Sequence, residues 1–188
     1  MILASKEYGI LYGLIGRFLL VELDSAAVEA LRSQDIISVL DKLQPGCESY
    51  LSRHWTDEDY DDAAAEYCAL FVLPGKVPLI ASYWIPGATE EIGHQLVAGV
   101  REVLQRFALS VAALHTGNVP GDHVGLLSLL AAYLYQQDDP LAAQHGRDFV
   151  ETFVSPWVPA FTGALLAKTE NPFYRALGHL LAQLIRTV

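Results

Sequence analysis

The sequence predicts an all-α, single-domain helical bundle over residues 1–188, and three observations predict it. Apolar residues recur at three- and four-residue spacing in nearly every segment, whereas period-two alternation is scarce. Helix-start residues precede the main stripes, and glycine or proline punctuates the joints between them. The chain is 52% hydrophobic and only 18% charged, a composition that excludes a disordered polymer and supplies one core at this length.

In chain order, Ile10, Leu11, Leu14, Ile15, Phe18 and Leu19 form one wide stripe and predict a helix over about 5–22. Weaker helical segments follow at about 25–32 and 34–43, and Pro45-Gly46 interrupts the chain. Thr56 is placed to cap the next helix, with Asp57, Glu58 and Asp59 in its first turn, where the helix dipole favours negative charge. Its inner stripe is Tyr60, Ala63, Ala64, Tyr67, Leu70 and Phe71, leaving Asp61 and Asp62 to water, and Pro74-Gly75 ends it. Residues 72–88, with Pro74, Pro78 and Pro86, read as a loop too long for a plain connector. Thr89 opens a helix whose face is Ile92, Leu96, Val100, Val103 and Phe107; a second loop covers Gly117–Gly121. Val124–Tyr135 is apolar on nearly every side, which marks a central helix surrounded by others. Asp138-Asp139-Pro140 and Asn171-Pro172 start two more helices, proline suiting the first turn.

Twelve Lys and Arg against 22 Asp and Glu leave a net charge of −10, which repels phosphate backbones, argues against nucleic-acid binding and suits a basic partner. No apolar run approaches the ~20 residues of a membrane span. Tyr8–Leu23 reads as a mature helix and not a signal peptide, because Glu7 precedes it, Arg17 interrupts it and no small-residue cleavage site follows. Cys47 and Cys68 form no C-x-x-C pair, so a reducing, cytoplasmic setting is the simpler reading, with Cys68 expected to be buried beside Tyr67 and Leu70.

Phosphate-loop, dinucleotide, nucleophile-elbow and zinc-protease patterns are missing, and the six histidines include no i,i+4 pair, so no cofactor or metal is expected. Two segments stand out. Tyr67-Cys68-Ala69-Leu70-Phe71 carries an apolar stripe straight into the proline-bearing loop; it either packs the core or walls a groove. Pro120-Gly121-Asp122-His123 precedes the central helix, with Asp122 placed to cap it. Asp122 and His123 could instead be an acid and base, but adjacent helical residues diverge by about 100° and do not orient one another.

These segments together resemble the TorD/DmsD/NarJ family of redox-enzyme maturation chaperones: an aromatic-x-x-Leu-Phe motif, then Pro78-x-x-x-Ser82-Tyr83, then Pro120-x-Asp122-His123. Phe149, Phe153, Trp157 and Phe161, then Pro172-Phe173-Tyr174, look like that family's aromatic C-terminal helices, so the likeness covers residues 5–187. Val119 and Leu127 depart from the family's acidic residues at those places. The resemblance implies a TorD/DmsD-like bundle and a cytoplasmic chaperone, not an enzyme. Its partners would be the catalytic subunit of a molybdopterin oxidoreductase and that subunit's twin-arginine signal peptide, guarded during cofactor insertion. The implied peptide-binding residues are Tyr67, Leu70, Phe71, Pro78, Ser82, Tyr83, Pro120, Asp122 and His123. Two other readings stand beside it: a small helical nucleotide hydrolase using Asp122 and His123, and an assembly subunit whose groove is a dimer interface. Monomer and dimer both remain open.

Overall fold

The computed structural model describes residues 3–43, 53–72, 75–115 and 118–187; Pro45, Gly46, Cys47, Pro74 and Gly117 lie outside them. Helix α1, Ser5–Leu20, opens with Glu7 accepting the Ala4 amide and also pairing with Lys42 of α3. Arg17 closes α1, donating to the carbonyls of Val21 and Glu22 and to Asp24. Short α2 (Ser25–Leu31) and α3 (Gln34–Leu43) turn the chain back. Thr56 caps α4, Asp57–Tyr67, as its sequence predicts, and Asp59 returns the bond to the Thr56 amide.

The centre of the molecule is α8, Val124–Tyr135, reached after α5 (Ala81–Trp84), α6 (Glu90–Arg106) and α7 (Val111–Leu114). Ten of the twelve α8 residues are buried, which is why no single face of its sequence is polar. Helix α1 lies along it through small residues. A Cβ on Gly16 would sit 2.9 Å from the Gly125 carbonyl oxygen, and one on Gly125 3.1 Å from that of Gly16. α9 (Ala142–Phe149) packs on α8, and α10 (Val158–Lys168) pairs with α11 (Pro172–Leu184). Trp157, Phe161 and Tyr174 are fully buried there. No single helix among the described residues is long and apolar enough to cross a membrane.

Several elements differ from their sequence expectations. The segment over 72–88 is not all loop: α4 runs on through a π-helical turn, Cys68–Val72, and α5 interrupts the prolines. The helix after Pro140 begins only at Ala142, because Asp139 folds back to accept the Leu141 amide at 2.8 Å. Cys68 is exposed and not buried. Tyr67 and Leu70 face inward, and residue 68 falls on the outer side of the turn that carries them. Asp122 does not cap α8; His123 does, its Nδ1 accepting the Gly125 amide at 3.1 Å.

Candidate functional site

Residues 77–84 form a strap across two helices, and backbone hydrogen bonds fix it. The Val77 amide donates to the Leu70 carbonyl (2.9 Å), near the end of a helix where carbonyls lose their intrahelical partners. Ile80 then makes an antiparallel bridge with His123. In that bridge the Val124 amide donates to Leu79 (3.0 Å) and the Ala81 amide to the Asp122 carbonyl (2.8 Å). The prolines leave this short pairing intact because neither Pro78 nor Pro86 sits where an amide must donate. Trp84 folds the strap on itself, donating from Nε1 to the Pro78 carbonyl at 2.7 Å, with its ring edge-on to Phe161.

Between this strap and α6 lies an open pocket of about 460 Å³. Pro78, Ile80, Gly93 and Val97 supply its apolar lining, with Tyr83 at the side, 66% exposed. Ser82, Thr89, Glu90, His94 and Asp122 supply the polar lining. Asp122 is 6% exposed, and its Oδ2 accepts the Ser82 hydroxyl at 2.6 Å. Its Oδ1 has no partner among the described residues, so it can receive a cationic donor.

His123 points away from that task. Burial, with a smaller contribution from nearby His115, pushes its pKa down to about 4 against the opposing pull of Asp122. The ring is therefore neutral near pH 7 and serves as a hydrogen-bond acceptor at the start of α8. No hydrogen bond joins Asp122 to His123, so the two are not arranged as a catalytic pair.

The nine residues singled out from sequence thus fall into two neighbourhoods. Pro78, Ser82, Tyr83 and Asp122 line the pocket; His123 is buried directly beneath the strap, and Pro120 is exposed, accepting the His123 amide. Tyr67 and Phe71 stack edge-on with each other, 5.2 Å between centroids, and both contact Tyr174. Leu70 is fully buried in the core, so it supports the strap through its carbonyl and offers no free surface. Glu90, Gly93, His94 and Val97 were missed in the sequence reading. Their spacing marks one face of a helix, but nothing local in α6 says that this face meets the strap.

Fold and site together define an all-α protein whose proline-bearing strap is bridged to the buried start of its central helix beside a pocket. Residues 33–163 match the family described as nitrate reductase delta subunit, and the chain belongs to that family, the TorD/DmsD/NarJ group of redox-enzyme maturation chaperones. It is 30% identical over 134 residues to the chaperone protein YcdY of Escherichia coli, covering 71% of this chain and 66% of that one. It is 31% identical over 123 residues to an uncharacterized protein of Haemophilus influenzae, covering 65% of this chain and 58% of that one. The chain therefore spans less than two thirds of either relative. The chaperone protein TorD of Shewanella loihica is 24% identical over 190 residues, covering 94% of this chain and 89% of that one. Family and named relatives are chaperones, so the chain is a chaperone-family protein and not an enzyme.

Proposed function

We propose that this chain binds the twin-arginine signal peptide of a molybdenum-cofactor oxidoreductase in the cytoplasm and holds the catalytic subunit until its cofactor is inserted. One observation carries the reading: a pocket whose apolar lining adjoins the buried Asp122, with one carboxylate oxygen fixed by Ser82 and the other open. A peptide joining a basic pair to an apolar stretch needs that combination, an apolar groove beside an anionic contact. A carboxylate held by a neighbouring hydroxyl is oriented before the guest arrives, which lowers the ordering cost of a charge-assisted bond. The family membership of the chain supports the same reading.

The test is calorimetric titration with twin-arginine signal peptides beside twin-lysine controls. Micromolar binding, about −8 kcal/mol, is expected for the arginine peptides and loss of most of it for the controls. Tyr83→Ala removes an exposed ring and Asp122→Asn keeps the acceptor for Ser82 while deleting the charge. Each is expected to weaken binding about tenfold with an unchanged melting temperature. Leu70→Ala is the contrasting variant: it empties a fully buried site and is expected to cost about 2–5 kcal/mol of stability. Normal peptide binding by a folded Asp122→Asn protein would refute this placement of the site.

A further inference from the structure

We infer that Glu90, on the α6 wall, is the specificity-determining carboxylate of this pocket, receiving a cationic side chain of the guest while the adjoining apolar side chain meets Pro78, Ile80 and Val97; this rests on the peptide-binding reading above. The pocket has two carboxylates in its lining, Asp122 and Glu90. Asp122 is nearly buried and half engaged by Ser82. Glu90 is exposed and makes no hydrogen bond or ion pair among the described residues, so its full charge is available to a guest.

Its position has an obvious local explanation, because an acidic residue in the first turn of α6 is favoured by the helix dipole. Glu91 separates the two explanations. It occupies the same first turn and gains the same dipole benefit, yet it lies outside the pocket, accepting Gln95 Nε2 one turn on. Of the two glutamates, Glu90 alone lines the pocket. One turn later Gly93 lets the strap come close to α6: a Cβ there would sit 3.5 Å from the Ser82 side chain, in ordinary contact. A carboxylate in the same pocket as the apolar lining of Pro78, Ile80 and Val97 fits a guest segment in which a basic residue adjoins an apolar one. The net charge of −10 favours the same sign of partner.

The experiment uses the full chain, a synthetic peptide with an Arg-Arg pair followed by an apolar stretch, and the same peptide with Gln-Gln. Glu90→Gln is expected to weaken Arg-Arg peptide binding about tenfold and flatten its salt dependence, while Glu91→Gln stays within about twofold of wild type. On the Gln-Gln peptide the Glu90→Gln loss should vanish, since the partner charge is gone. Thermal melting of both variants controls for folding. If wild type binds and the two variants behave alike, the inference is wrong and the peptide-binding reading stands. If wild type binds neither peptide, that reading fails and takes this one with it.

Discussion

The charge of His123 is set by where its ring sits. As the N-cap of α8 it accepts the Gly125 amide, and a proton on Nδ1 would break that bond and place a positive charge at the positive end of a helix dipole. Burial is the larger cause of its low pKa, about 4 against an ordinary 6.5. Between those values an unfolded chain binds a proton that the folded chain does not. The stabilisation is therefore complete above about pH 6.5 and is lost as the pH falls toward 4. The shift corresponds to about 3 kcal/mol. His123→Asn keeps a capping acceptor without the titration, so urea unfolding at pH 7 and pH 4.5 should show the variant losing less stability than wild type on acidification. Equal losses would mean that the ring is not the buried neutral cap described. Asp59 and Glu7, both held low by their hydrogen bonds, lose their contributions mainly at lower pH and do so in both proteins.

At the scale of elements, glycine does opposite things in two helices. In α1 a Cβ on Gly16 would meet the Leu129 side chain at 2.7 Å and the Gly125 backbone oxygen at 2.9 Å, and backbone in a packed crossing cannot yield cheaply. In α10 a Cβ on Gly163 would meet nothing within 4 Å. Gly16→Ala is thus expected to destabilise by about 1–3 kcal/mol, and Gly163→Ala to stabilise by about 0.5–1 kcal/mol through helix propensity, both read from denaturant midpoints. The contrast also shows what was legible beforehand. The stripe of α1, the caps at Thr56 and Thr89 and the all-apolar α8 were readable because each is a local pattern, and each stands as predicted. The Gly16–Gly125 contact, the Ile80–His123 bridge and the α6 wall of the pocket join residues far apart in sequence. No periodicity reports such pairings. The cap falls on His123 and not on Asp122 because the Ser82 hydroxyl, 40 positions away, claims the Asp122 carboxylate, and no local pattern around an otherwise favoured capping aspartate reports that partner.

For the whole molecule, the distribution of charge bears on how fast a basic guest arrives. The outer face of α4 exposes Asp57, Glu58, Asp61 and Asp62 to solvent. The pocket lies elsewhere, between the strap and α6, and none of these four residues lines it. Their field can therefore act on the approach of a cationic peptide without touching the bound one, and long-range attraction of this kind falls with ionic strength over a screening length of about 10 Å at 0.1 M salt. Neutralising all four, as Asp57→Asn, Glu58→Gln, Asp61→Asn and Asp62→Asn, is expected to lower the association rate severalfold at low salt and leave the dissociation rate unchanged. At about 0.5 M salt the two proteins should associate at the same rate. In the proposed site Asp122→Asn is expected to do the reverse, raising dissociation more than it slows association, because a carboxylate buried against Ser82 would act only after contact. Stopped-flow binding of a labelled twin-arginine peptide at two salt concentrations resolves both rates. A faster dissociation in the four-site variant would place the acidic face in contact with the guest and extend the binding surface from the pocket onto α4.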